Sequence, residues 1–371
     1  MSTDRHDRLK AEATRLLKAG VTGNVFPGGV ACIGWREADK AVFVEAWAGK
    51  LSGDLGSVSA GTLYDLASVT KPFVAMTVLR LLETGKIALD TRADRMLPDV
   101  RGGVGGEATL EMLLTHRSKL SPWGGLFLDV PHDVGSPAAR RWILSEASRR
   151  RNETNQGVVV YSDLGYLIAG EAVARQMSKS LDYLVRTEIT EPLGIQNDVF
   201  YPASFPPDKR AHIVASSAPT EWCEWRGRLI RGEVHDENAA AFGGVAGHAG
   251  LFGNARGVAH FGRAMLDSLA GRSNFIAAAE LQQALRDRGD GNTHRLGWEA
   301  KSAEDSSAGK RMGADSFGHL GFTGTSLWCD PSSDIVVALL TNRVHPSRAN
   351  EKIKGFRPAF HDGVLAALER P

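Results

Sequence analysis

Ser68-Val69-Thr70-Lys71-Pro72 opens the clearest apolar helical period in the 371-residue chain. From Val74 the apolar positions Val78, Leu81 and Leu82 fall on one face, and Gly85 supplies a stop. A spacing of three puts the Ser68 and Lys71 side chains on one side of a helix, one turn apart. A serine hydroxyl is a poor nucleophile until a neighbouring base takes its proton. A lysine can be that base where burial or nearby cations lower its pKa. Pro72 is tolerated only in a first helical turn, so Ser68 sits at the helix entrance, beside free backbone N–H groups and the positive end of the dipole. The same spacing recurs at Ser307-x-x-Lys310, in a polar Ser/Gly stretch with no apolar period behind it. Spacing alone therefore leaves a capping serine and a solvated lysine as the plainer reading.

Working outward, Gly29 to Trp35 is an apolar run and Ala41 to Ala48 alternates, which together predict an antiparallel pair. Before them, Leu9, Ala13, Leu16 and Leu17 recur at helical spacing up to Gly20. After the Ser68 helix, a short helix is predicted around Leu110–Leu114, a longer one around Leu164–Ala172 and another around Leu181–Ile189, stopped by Pro192-Leu193-Gly194. A second β signature, Leu327 to Asp330 and Ile335 to Asn342, turns at Pro331-Ser332-Ser333, and Phe360 to Leu368 reads as a closing helix. Strands near both ends with helices between them predict an α+β fold. An antiparallel sheet region of residues 1–66 and 301–371, flanked by the terminal helices, would face a mostly helical region of residues 67–300, with the active site in the groove between them. Lys301 to Asp315, polar and rich in Ser, Gly and Ala, reads as the most flexible piece.

Lys and Arg number 44 against 43 Asp and Glu, a formal charge of +1, and no basic stripe suggests nucleic acid as a partner. The longest uncharged stretch, Asn238 to Ala255, is rich in Gly and Ala and contains His248, so it is no membrane span. Cys32, Cys223 and Cys329 are odd in number and widely spaced, which suits reduced thiols and no zinc ribbon. Charges interrupt the first twenty residues throughout, so a cytoplasmic location is expected, or a periplasmic one if a leader has been removed. The sequence does not speak to oligomeric state.

Gly-x-Ser-x-Gly, His-Glu-x-x-His, a phosphate-binding loop and Gly-x-Gly-x-x-Gly are all absent. Two further segments carry chemistry-bearing groups. Tyr161-Ser162-Asp163 lies between the apolar run Val158–Val160 and a helix, where Tyr161 could relay a proton. The bland alternative is a core tyrosine with Asp163 as N-cap. His319-Leu320-Gly321-Phe322 precedes the strand Leu327–Asp330, and an edge strand there could offer a backbone N–H to an oxyanion. The alternative is a turn with a half-exposed histidine. His235, Asp236 and His248 are metal-ligand types within a short span, though histidines hydrogen-bonded to backbone are the commoner outcome.

The order and separation of these three motifs, with Leu113-Leu114-Thr115-His116-Arg117-Ser118, Gly232-Glu233-Val234-His235-Asp236 and Gly243 to Phe252, resemble the serine β-lactamase and penicillin-binding-protein superfamily. The branch is that of class C β-lactamases, D-aminopeptidases and esterases, and the likeness runs from about Gly29 to Asn342. It implies a β-lactamase/transpeptidase-like fold and a serine hydrolase that needs no metal or cofactor, so His235, Asp236 and His248 would be structural. It implies Ser68 as the acylated nucleophile, Lys71 as its proton acceptor, Tyr161 in acid/base transfer, and His319 where the family carries a lysine or histidine. The N–H groups of Ser68 and Phe322 would form the oxyanion hole, with Asp163 and Gly321 on the substrate side. Two positions depart from the family: Asp163 stands where Asn is common, and Leu320 where Thr is common. An ionised Asp163 beside Lys71 would favour the ammonium and oppose a base role, unless the carboxyl is neutral or points away or Tyr161 is the main base. Leu320 cannot grip a substrate carboxylate. A small-molecule ester or amide is therefore expected over efficient β-lactam hydrolysis, the alternative being a peptide- or β-lactam-binding protein without turnover. Trp123, Phe127, Trp222 and Trp225, in loops of residues 119–137 and 204–231, could line an apolar acyl site or simply pack.

Overall fold

Gly28–Glu37 (β1) and Lys40–Gly49 (β2) form a hairpin in register from Gly28↔Gly49 to Glu37↔Lys40. These coordinates come from a computed structural model that describes residues 2–153 and 159–369; Val158, the start of one apolar run, lies outside them. The remaining strands of the sheet come from the far end of the chain: Glu299–Ala300 (β3), Phe317–Leu320 (β4), Ser326–Asp330 (β5) and Ile335–Thr341 (β6). All pair antiparallel in the order β2-β1-β6-β5-β4-β3. Six long-range pairs, Gly29↔Thr341 to Gly34↔Val336, join the two ends of the chain.

The central strands are apolar on both faces because both faces are covered. Val30, Cys32, Leu327, Cys329, Val336, Ala338 and Leu340 belong to the large core shared with the helices. Their alternates Ala31, Ile33, Trp328, Ile335, Val337 and Leu339 pack in a second cluster beneath Ser2–Thr22 (α1) and the C-terminal helix Ile353–Glu369. The period of two is thus intact but invisible to a hydropathy reading, since neither face is polar. The three cysteines are free and buried.

Thr70–Leu82 (α2) is buried on nearly every side, from Thr70 to Leu79 and at Leu81. That is the pattern of a central helix rather than a surface one. Asp163–Met177 packs against it, and Pro137–Arg149 (α3) packs in turn on that helix (α4), all in the same cluster. Ala255–Leu269 (α5) covers the inner face of the sheet, and the C-terminal helix (α6) covers the outer face with α1. Both α5 and β3 fall within residues 67–300, so the large core continues from the helices into the sheet. No described helix is long and apolar enough to cross a membrane.

Close approach of α5 to the sheet depends on Gly262. A Cβ there would stand 2.5 Å from Val336 Cγ2 and 2.9 Å from Leu327 Cδ1. Gly262→Ala is expected to lower unfolding free energy by about 1–3 kcal/mol through overpacking, measured by denaturant melts; a change below about 0.5 kcal/mol would refute the tight seam.

The stretch 301–315 is anchored rather than loose. Ala308 and Met312 are buried in the second cluster, and Lys301 Nζ donates to the carbonyls of Lys310 and Met312. The helix from Leu181 ends at Val185 and continues as a π-type turn over Arg186–Thr190.

Candidate active site

Asp65, just upstream of the nucleophile candidate, is 2 % exposed and holds the turn together. Its carboxylate accepts from the N–H of Ala67 at 2.8 Å and of His235 at 2.6 Å. Burial pushes this carboxyl up, and the two N–H donors oppose the shift. Ala67 takes a positive φ of 46°, an unusual conformation for a residue with a Cβ, and Ser68 follows in a short 3₁₀ turn over Ala67–Val69. Ser68 therefore lies at the entrance to α2, partly exposed to a cavity of about 630 Å³.

Lys71 is fully buried one turn into the helix. Its Nζ donates to Ser68 Oγ at 2.8 Å, to Asp163 Oδ1 at 2.6 Å and to the His248 carbonyl at 3.3 Å. Three acceptors match the three N–H bonds of an ammonium. Burial lowers the Lys71 pKa, while the charge and hydrogen bond of Asp163, and more distantly Asp236, push it back up. Asp163 thus points at the lysine rather than away from it. It does not cap α4 either: the cap is Ser162, whose hydroxyl accepts from Gly165 N–H at 3.2 Å. The shorter side chain takes the cap and leaves the carboxylate for the amine.

Tyr161 lies beside Ser68, whose side chain opposes the rise in its pKa, and Lys71 Nζ lies 4.8 Å from its ring centre. Burial, and then the Asp163 charge, raise the Tyr161 pKa well above its ordinary value, so the group is a phenol. Three histidine rings surround it, His116 at 4.5 Å, His294 at 5.5 Å and His319 at 6.1 Å between centres. Burial keeps all three neutral, His294 near 4 and His319 near 3. His319 is 6 % exposed on β4, not half-exposed in a turn. Its Nδ1 faces the Leu320 carbonyl at 2.9 Å; a carbonyl only accepts, so Nδ1 carries the proton and Nε2 is bare. His319 therefore carries no charge near neutral pH. His319 packs beside Tyr161, whereas Leu320, Gly321 and Phe322 line the cavity.

The turn after β4 is clasped to the Ser68 turn by two hydroxyls. Thr323 Oγ1 donates to the Asp65 carbonyl at 2.7 Å and Thr325 Oγ1 to the Leu66 carbonyl at 2.9 Å. Gly321 is required here, because a Cβ would meet Thr325 Oγ1 at 1.9 Å and the Leu66 carbonyl at 2.5 Å. From α6, Arg357 Nη2 donates to the carbonyls of Gly321 and Thr325, each at 2.8 Å, and burial lowers its pKa to about 9.

His235, Asp236 and His248 do not converge. His235 Nε2 meets Glu221 at 2.7 Å, and His248 Nε2 meets Asp236 at 3.0 Å. Among the described residues no three His, Cys, Asp or Glu side chains gather as a metal site. The second Ser-x-x-Lys lies elsewhere, against α6, where the Ser307 carbonyl accepts from His361. Asp65, Thr323, Thr325 and Arg357 went unread in the sequence because their partners are backbone atoms of distant segments, which leave no spacing to find.

Comparison with protein families matches residues 13–357 to the Beta-lactamase family. A putative D-alanyl-D-alanine carboxypeptidase of Salmonella agona (strain SL483) is 27% identical over 338 residues, covering 83% of this chain and 75% of that protein. Among solved structures, EstCE1, a hydrolase with promiscuous acyltransferase activity, superposes with a TM-score of 0.73 at 16% identity, over 97% of this chain and 99% of the other. A class C β-lactamase from Rhodobacter sphaeroides gives 0.67 at 19% identity, over 95% and 99% of the two chains. With a family match across most of its length and the expected fold, this chain belongs to the Beta-lactamase family, as a serine hydrolase.

Proposed function

We propose that this serine hydrolase acylates Ser68 with uncharged esters and amides and returns the acyl group to water. The observation that carries this is the 2.8 Å contact between Ser68 Oγ and a fully buried Lys71, at the wall of a cavity that Tyr161 also lines. Lys71 in its amine form takes the Ser68 proton as Oγ attacks the carbonyl carbon. The backbone N–H groups of Ser68 and Phe322 receive the developing oxyanion; one such donor is worth about 2.7–4 kcal/mol of barrier. Tyr161, a phenol beside Ser68, passes the proton to the leaving group. In the second half the same groups take a proton from water as it attacks the ester on Ser68 and return it to Oγ. No metal or cofactor enters the scheme.

Preference for uncharged substrates rests on the cations at the cavity wall, each of which already has protein partners. Arg348 is ion-paired with Glu221 and Glu237, and Lys354 with Glu351. Arg343 holds the carbonyls of Phe322, Arg348 and Asn350, and Arg357 those of Gly321 and Thr325. With Leu320 apolar and His319 neutral, a substrate carboxylate gains little. A side-by-side panel of p-nitrophenyl acetate, D-amino amides and nitrocefin tests this. Turnover of esters or amides well above nitrocefin is expected; nitrocefin as the best substrate would overturn it.

The Asp163–Lys71 contact sets a pH dependence. Because Asp163 raises the Lys71 pKa, Asp163→Asn lowers it. Activity that needs the amine rises with pH as Lys71 loses its proton. Asp163→Asn should therefore move the acidic limb of the kcat/KM profile to lower pH, by about one unit or more. An unmoved limb would remove Lys71 as the base.

A further inference from the structure

Beyond the Arg348–Glu237 ion pair, at 2.6 Å, lies a second cavity of about 610 Å³. Those two residues line both cavities, so the ion pair stands between the two. The far side is walled by Phe127, Leu128, Trp222 and Trp225. An aromatic run crosses from one cavity to the other: Trp123 on the Ser68 side lies 6.3 Å from Phe127, which meets Trp225 edge-on at 5.1 Å. Phe127 and Trp225 pack on the core, but Leu128 is 68% and Trp222 55% exposed. Two large apolar side chains left in water beside a cavity fit a ligand that covers them. Glu221 and Glu237 at this wall share the Arg348 guanidinium, and His235 also holds Glu221; with Glu224 the remaining charge is negative, which disfavours an anionic group there.

We propose that this second cavity is a distal subsite for a neutral apolar group of the substrate, an alkyl chain or aromatic ring, carried on the carbonyl that Ser68 attacks or on its leaving group. The proposal rests on Ser68 as the acylation site and extends that reading to substrates longer than the first cavity holds. The residues are well placed for it: Trp222 and Leu128 give area, and Phe127 and Trp225, braced on the core, give a fixed edge. Hydrolysis is unchanged in kind, and only the reach of the substrate is new.

Two kinetic series and one binding measurement test it. p-Nitrophenyl esters from acetate to decanoate vary the acyl side; acetyl esters of methanol, phenol and 2-naphthol vary the leaving side. In one series kcat/KM should climb at least tenfold from the smallest member to the largest, mainly through KM. In Trp222→Ala and Leu128→Ser, both surface changes, that ratio should fall at least fivefold. The acyl series responding identifies an acyl subsite, and the leaving-group series a departing-group subsite. Flat ratios in both series, or ratios untouched by both variants, overturn the subsite. The binding arm uses the Ser68→Ala protein and p-nitrophenyl octanoate by calorimetry. Adding Trp222→Ala should weaken Kd at least fivefold, and equal Kd values count against the proposal. This arm does not need turnover, so a protein that binds but does not hydrolyse would disprove the hydrolase reading while leaving the subsite standing.

Discussion

Ser68→Ala is expected to abolish turnover and the mass adduct formed with a fluorophosphonate probe. Ser68 lines the cavity together with Tyr161, and its Oγ has Lys71 Nζ at 2.8 Å. On the proposed mechanism, removing that oxygen removes the atom that would bond to the acyl group, and for a nucleophile of this kind kcat falls on the order of 10⁴- to 10⁶-fold. Folding should be little affected. Ser68 is partly exposed and its hydroxyl caps nothing, since the 3₁₀ turn and α2 have no side-chain cap bond there. Intact-mass spectrometry with the probe, read beside a thermal melt, checks both halves. Stoichiometric labelling of Ser68→Ala would sink the assignment.

Lys71→Met should cost about 10³-fold in kcat/KM, within the range of a lost general base. Met is unbranched and close in volume, so the buried slot stays filled. Asp163 loses its cation, but its side chain is 21% exposed and can take water from the cavity instead. Large destabilisation is therefore not expected, and a melting temperature within a few degrees of the parent would keep the kinetic result interpretable. Groups that act as a unit give non-additive losses. Ser68→Ala/Lys71→Met should be no slower than Ser68→Ala alone. A Lys71→Met enzyme within tenfold of the parent would show that the amine is not the base.

The parts of this fold that could be read from sequence are those whose partners are near in the chain. The β1–β2 hairpin, the start of α2, and β5–β6 announce themselves through local period and turn residues. Helix α5 was equally available. Val258, Phe261, Met265 and Leu266 recur at helical spacing behind the cap residue Asn254, but the Gly/Ala-rich stretch before them hides the start. The stretch 301–315 misleads for the opposite reason. Its two buried apolar residues, Ala308 and Met312, are too few to show a period, and backbone carbonyls hold the rest. At the site, residue types and order point to Ser68, Lys71 and Tyr161. The direction of the Asp163 carboxylate and the neutrality of His319 depend on burial, which no spacing encodes.

The hydroxyl clasp from Thr323 and Thr325, and the Arg357 guanidinium behind it, have a consequence for biosynthesis. The ribosome makes Ser68 well before residues 323–357, the segments that lock its turn. At about 5–20 residues per second, roughly tens of seconds separate the two. During that interval the nascent chain carries its alcohol and amine without the frame that aligns them, so acyl-transfer competence should switch on abruptly once residues 323–357 have joined the fold rather than grow with chain length.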